Sequence, residues 1–375
     1  MTPHQLPSPD SPATASLRGQ TLRIPNLGPF FSGWKRGVNP LYERARLAVD
    51  ARLERLVADE RARAKAQRGD LALLAASWLP DAGWEALEAA AAYVVWLFLW
   101  DDGIEEGNGG EGGGGEGEAA AAVAAAEEYC RRSLAFVGRC LGVEGPDGEG
   151  GEEQEDGPVA PPTRVCGGFA EAGRRFAEFA PRLDERRRLF GRLREYMEGC
   201  VAEYKGRSSG RMPSVEEFYG WRMKTSSVDV MLELCRILNG ISLPDDVPGL
   251  TEMGRCVNKL LILINELFSL QKELKDGAAA NLIPITMHEL NMNLESAVRV
   301  ITDDIRRSAI NFDKESSASW AIVLERHGPE AADKLRQLTQ AYQAIVTGVL
   351  HFSIESPRYG LLKNRQEDGS FVVEL

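Results

Sequence analysis

Leu261-Ile262-Leu263-Ile264-Asn265-Glu266-Leu267-Phe268-Ser269-Leu270-Gln271-Lys272-Glu273 decides the reading of this chain, because an apolar run turns polar on one face without ceasing to read as helix. At helical spacing Ser269 lies about 40° and Glu273 about 80° around from Asn265, while Lys272 returns to within about 20° of it. An amide, a hydroxyl, a carboxylate and an ammonium therefore share one stripe of a helix whose other sides are Leu, Ile and Phe. Burying such groups unpaired costs roughly 1–3 kcal/mol each, so the stripe faces water, a set of partners or a bound ion. Oxygen donors one turn apart suit a hard cation such as Mg²⁺, and the lysine suits a phosphate beside that cation.

Composition narrows the classes. With 375 residues, 43% hydrophobic and 27% charged, the chain has the make-up of a soluble globular protein able to bury a substantial core. The net charge of -12 argues against nucleic acid, whose affinity comes mainly from Lys and Arg on phosphates, and an anionic substrate would need its own local cations. Cys130, Cys140, Cys166, Cys200, Cys235 and Cys256 are scattered without a CxxC pair, which points to reduced thiols in the cytoplasm rather than a zinc site or a disulfide framework. The N-terminal stretch is rich in Pro, Ser and Thr and lacks an apolar h-region, and the longest apolar runs are too short to span a bilayer. Neither a signal peptide nor a transmembrane segment is expected.

Along the chain, residues 1–21 have the composition of a disordered arm, and order is expected to begin near Leu22. Helical patterning runs from Leu41 to about Ala66, then from Leu71 to Trp78 behind Asp70 as N-cap, and, after Pro80-Asp81, from Trp84 to about Glu106. Residues 107–118 and 144–162 are Gly/Glu-rich insertions that cannot bury enough apolar surface to order themselves. Helices are further expected over 119–141, 169–179, 184–204, 215–239 (announced by Pro213-Ser214), 250–275, 284–308, 316–325 and 329–354, with a tail after 365. No segment alternates as a strand. The expected fold is one all-α bundle.

The helix ending in Asp101-Asp102-Gly103-Ile104-Glu105-Glu106 is apolar nearly all round, so it belongs inside the protein and its acidic end must open into a cavity or onto the surface. Phe98, Asp101 and Glu105 fall within about 60° of one another on it. Carboxylates this close repel unless a cation holds them, and two such helices opposed across a bundle can hold several Mg²⁺ ions.

At this point the sequence resembles the class I terpene synthases (terpene cyclases) of fungal and bacterial type, over nearly its whole length. Asp101-Asp102-x-x-Glu105 stands where that family has its aspartate-rich motif, with Glu closing it in place of the commoner Asp. Asn265-x-x-x-Ser269-x-x-x-Glu273 matches the second metal motif, including Lys272; Arg358-Tyr359 looks like the family's Arg-Tyr pair, and Arg222 falls where a diphosphate-sensing arginine is kept. The resemblance implies a class I terpenoid synthase-like helical bundle around a central cavity. It implies metal ligation by Asp101, Asp102, Glu105, Asn265, Ser269 and Glu273, and three Mg²⁺ ions with bound diphosphate. Arg222, Lys272, Arg358 and Tyr359 would grip the diphosphate, and Phe98, with Tyr93, Trp96 and Trp221, could face the carbocation. Thr225 and Ser226 resemble the linker and effector positions.

The implied reaction is ionisation of a prenyl diphosphate, farnesyl diphosphate for a single α domain, and cyclisation to a sesquiterpene by a monomer or homodimer. The rivals are a chain-elongating prenyltransferase, a cyclase for a C10 or C20 diphosphate, and, more distantly, a non-catalytic helical interaction protein. A second motif built of Asn, Ser and Glu favours cyclisation over elongation.

Overall fold

Capping side chains, more than periodicity, set where the helices of this chain begin. The computed structural model describes residues 16–106, 116–143, 160–207, 211–276 and 280–375. Twelve helices are named here: α1 (Tyr42–Leu56), α2 (Glu60–Arg68), α3 (Leu71–Trp78), α4 (Trp84–Glu106), α5 (Glu116–Cys140), α6 (Phe169–Phe179), α7 (Leu183–Arg207), α8 (Val215–Thr225), α9 (Val228–Leu238), α10 (Leu250–Lys275), α11 (Leu282–Glu289) and α12 (Leu294–Glu355). Asp70 caps α3 as the sequence implies, its carboxylate accepting from Leu73 N–H at 3.2 Å, and Ser214 with Glu217 forms a full capping box on α8. Asp59 caps α2 in the same way and so divides the expected 41–66 helix into α1 and α2. The two Gly/Glu-rich stretches fall outside the described residues, apart from 116–118, which begin α5, and 160–162.

Three further helix boundaries differ from expectation. The 215–239 helix is broken at Ser226-Ser227: Ser227 takes a left-handed φ of 59°, and the Ser226 hydroxyl donates to Asn258 Oδ1 at 2.8 Å while accepting from Val228 N–H at 3.3 Å. A β-turn-like break at 290–293, with Asn291 at φ 48° and Asn293 capping the next helix, separates α11 from α12. Conversely, the chain stays helical where a gap is expected between 308 and 316, and α12 bends only at Gly328 (φ 81°), ahead of Pro329, whose ring and missing N–H interrupt the ladder.

Two short strands correct the expectation of none. β1 (Thr21–Ile24) pairs antiparallel with β2 (Phe371–Glu374) in the register Leu22 with Val373 and Ile24 with Phe371, all four buried. Four-residue alternation is too short to read, and the partners lie at opposite ends of the chain. The C-terminal tail is thus partly built into the fold, and ordered packing starts before Leu22, since Leu17 is buried and Gly19 N–H donates to the Leu375 carbonyl at 2.9 Å.

α10 and α3 both pack on α12, while α4 sits among α1, α3 and α6. On α4, Tyr93, Trp96 and Trp100 are fully buried and meet Phe169 and Phe176 of α6 in a chain of ring contacts, the tightest being Trp96 to Phe169 at 4.8 Å between centroids. β2 rests on the side of α10 next to the polar stripe: Phe371 meets Phe268 edge-on at 5.6 Å, and Gln271 Nε2 donates to the Glu374 carbonyl at 2.7 Å. Among the described residues no helix is long and apolar enough to cross a membrane. Because Phe371 is a core residue of α10's packing, Phe371→Ala is expected to cost about 3–5 kcal/mol in urea unfolding; a loss under about 1 kcal/mol would show that the strand pair only drapes over the bundle.

Candidate active site

The polar stripe of α10 lies on a helix mostly buried from Met253 to Leu270, and groups bonded to it come from the end of α8, from the segment after α12 and from the residue before α11. Arg222, one turn before α8 ends, reaches α10 with both arms of its guanidinium: Nη2 donates to Asn265 Oδ1 at 2.9 Å and Nε to Glu266 Oε1 at 3.2 Å. Asn265 Nδ2 in turn donates to the Tyr359 hydroxyl at 3.2 Å. Three residues distant in sequence thereby form one hydrogen-bonded network.

The Arg-Tyr pair is held in place by its own turn. Pro357 ends α12, the buried Ser356 hydroxyl donates to the Gly69 carbonyl at 2.7 Å and accepts from Arg358 N–H at 3.1 Å, and the Tyr359 ring lies edge-on to Phe352 at 6.0 Å. Arg358 then projects over the face of the half-buried Phe98, with Cζ 4.9 Å from the ring centroid. Of the aromatic residues considered for a carbocation, Tyr93 and Trp96 are core, Trp221 packs closely against Gly206 of α7, and Phe98 is the one in contact with a site cation.

The remaining motif residues have individual partners. Lys272 pairs with Asp276 one turn on at 2.8 Å, Glu273 Oε2 accepts from Asn281 Nδ2 at 2.9 Å, and Asp101 Oδ1 accepts from the Cys200 thiol at 3.5 Å. Asp101 and Asp102 are exposed at the end of α4, and the side chain of Glu105 lies outside the described residues. Among the described residues no three His, Cys, Asp or Glu side chains converge as a metal cluster. The donors of α10 are of another kind. Ser269 is buried, and its hydroxyl finds no hydrogen-bond partner.

Burial and charge oppose each other here. Burial alone would pull the Arg222 guanidinium down, but Glu266 and Glu203 outweigh it and hold the group raised and firmly cationic. Burial pushes the Glu266 carboxyl up, Arg222 pulls it back, and Glu273 adds to the upward push. Glu203, half-buried, is held below the usual carboxylate range by Arg207 and Arg222 despite desolvation. Burial raises the Tyr359 phenol and, far more, the Cys200 thiol, so both keep their protons and remain donors. A groove of about 280 Å³ near the bend of α12, lined by Ser316, Trp320 and Arg336, shares none of these residues.

A family model, terpene synthase family 2, C-terminal metal binding, matches residues 92–309, more than half of the chain. The chain belongs to the terpene synthases. The matched span contains Phe98, Asp101, Asp102, Arg222 and the whole α10 stripe, and leaves Arg358-Tyr359 beyond it. Sesquiterpene cyclase hepA of Aspergillus oryzae is 28% identical over 92% of this chain and 91% of its own length. The 10-epi-cubebol synthase of Sorangium cellulosum is 31% identical over 64% of this chain and 70% of its own. In fold, the synthase is similar to germacradien-4-ol synthase from Streptomyces citricolor, with a TM-score of 0.68 at 18% identity, covering 86% of this chain and 96% of that one.

Sequence reasoning missed Glu266, Asn281 and Glu203. The first was legible: a carboxylate inside Leu261–Leu270, on the apolar side of the stripe, has to be paired. The other two announce themselves only through neighbours that the fold supplies. If Glu266 is what keeps Arg222 in place, Glu266→Leu removes the carboxylate bonded to a partly buried guanidinium and, with Glu203 still offsetting part of the charge, destabilises the synthase by up to about 3–5 kcal/mol in urea unfolding; a parental midpoint would mean that Arg222 relaxes into solvent at no cost.

Proposed function

We propose that this synthase ionises farnesyl diphosphate in a Mg²⁺-dependent step and cyclises the resulting carbocation to a sesquiterpene, releasing diphosphate. The observation that carries the reading is the Ser269 hydroxyl, buried without a partner between Asn265 and Glu273 on the same stripe. An orphaned buried hydroxyl costs about 1–3 kcal/mol, a cost that disappears once a ligand takes its lone pair. Amide, hydroxyl and carboxylate oxygen are the donors a hard divalent cation takes, so the residues present fit Mg²⁺. Asn265, Ser269 and Glu273 would hold it on one side and Asp101, Asp102 and Glu105 on the other.

Bound Mg²⁺ would neutralise diphosphate oxygens and so make diphosphate a competent leaving group. The chain's own part is to supply fixed donors and a dry surround. Arg222 offers a guanidinium already oriented by Glu266, Arg358 a planar fork for bidentate contact, Tyr359 a protonated hydroxyl and Lys272 a further cation. Phe98 presents a π-face at the boundary between these cations and the apolar bundle, where a carbocation left by ionisation would be attracted. The C15 length is supported by the all-α chain and by a relative named as a sesquiterpene cyclase that matches over 91% of its own length.

Incubation with C10, C15 and C20 prenyl diphosphates and Mg²⁺, followed by gas chromatography, is expected to give a C15 hydrocarbon or alcohol from farnesyl diphosphate; elongated diphosphates as products, or turnover unchanged in excess EDTA, would refute the reading. Ser269→Ala separates the metal role from a structural one. Removing an unpartnered hydroxyl should leave the melting temperature unchanged or slightly higher, while the Mg²⁺ concentration for half-maximal rate rises by about tenfold or more. Parental Mg²⁺ dependence in that variant would take Ser269 out of the metal site.

A further inference from the structure

Asn281 stands just before α11 and is 1% exposed, although it has no apolar portion to bury. Its Oδ1 accepts from Ile283 N–H at 2.9 Å and so caps α11. Its amide nitrogen donates twice, to Glu273 Oε2 and to the main-chain carbonyl of Glu266, both at 2.9 Å. The next residue completes the fastening, since Leu282 N–H donates to Glu266 Oε2 at 3.0 Å. The start of α11 is therefore fixed to α10 on both sides of a two-turn stretch that holds Ser269.

The cap by itself does not call for asparagine. Ser, Asp and Asn cap helices about equally well, but neither of the first two carries an NH₂ group that can serve two acceptors while the oxygen caps. Both hydrogens of that group are used, one of them on a carboxylate of the motif. With Oε2 held by Asn281, the Glu273 carboxylate is not free to rotate, and Oε1 is the oxygen left for a ligand. We infer that Asn281 is a positioning residue of the metal site, fixing the rotamer of Glu273 through its amide nitrogen and tying that rotamer to the Glu266 that holds Arg222. This rests on the proposed reading of Glu273 as a metal ligand.

The test compares Asn281→Ser, Asn281→Asp and Glu273→Gln with the parent. Mn²⁺ serves as the probe in the presence of inorganic diphosphate, its binding read from loss of the free-ion electron paramagnetic resonance signal, and melting curves are recorded in parallel. Asn281→Ser keeps a capping oxygen and should melt within a few degrees of the parent, yet bind Mn²⁺ about 10–100-fold more weakly, the range for removing a group that orients a metal ligand. Asn281→Asp, which caps but sets a carboxylate against Glu273, should do at least as badly. Parental Mn²⁺ affinity in Asn281→Ser, with Glu273→Gln weakened at least tenfold, overturns the inference while leaving the metal reading standing; parental affinity in Glu273→Gln overturns both. Should Asn281→Ser melt much lower, binding measured below its transition still decides: weakened affinity of the folded protein supports the positioning role, and parental affinity reduces Asn281 to a cap.

Discussion

The ion pair between Arg222 and Glu266, set against Asn265, is the interaction on which the rest of this site depends. A guanidinium and a carboxylate withdrawn from water each carry a desolvation cost of several kcal/mol, which is offset only where geometry is good and the remaining donors and acceptors are satisfied. Here the second carboxylate oxygen accepts from Leu282 N–H, at the start of α11, and the second guanidinium arm lies on the Asn265 amide. The pair thereby locks α8, α10 and α11 together at the point where the polar stripe begins.

That constraint explains why the fold spends three helix boundaries in one region. α8 must stop soon after Arg222 for its guanidinium to point across the bundle, and the break at Ser226-Ser227 is held by Asn258 of α10, whose Nδ2 donates to the Met223 carbonyl at 2.8 Å. α11 must start at Leu282 for its first N–H to reach Glu266. The fully buried Ser227 is fastened to Tyr93 of α4 by a 2.5 Å hydrogen bond, so the break is tied to the same helix that carries Phe98 and Asp101.

Much of this was legible in the sequence, and the limits have physical causes. The α10 stripe could be read because burial imposes a 3.6-residue period on a long segment, and α4 because a long, mostly apolar run belongs inside; Arg222, Asn265 and Tyr359 do meet. The breaks could not: nothing in Thr225-Ser226-Ser227 says that Asn258 will take the Ser226 hydroxyl, since that partner exists only after α8 and α10 have packed. The strand pair escaped for a related reason, its two halves being short and some 350 residues apart in the numbering. Lys272 shows the limit of phase alone: it lies on the stripe, but its side chain turns down the helix to Asp276.

Arg222, Lys272 and Arg358 are all engaged with neighbouring side chains, and those engagements differ in strength. The Lys272–Asp276 pair joins a half-buried ammonium to an exposed carboxylate four residues away, an arrangement worth about 0.3–0.5 kcal/mol. The half-buried Arg358 lies over Phe98, a cation–π contact worth about 0.5–1 kcal/mol at an exposed site, and also hydrogen-bonds Tyr359. Both are weaker than a buried ion pair, so these two side chains are held less firmly than Arg222. Release of Arg222 would leave Glu266, 2% exposed, without its counter-ion, at a cost of about 3–5 kcal/mol. In a chain of net charge -12, then, this polar cluster combines one arginine fixed by a buried carboxylate with two cations held by weaker contacts.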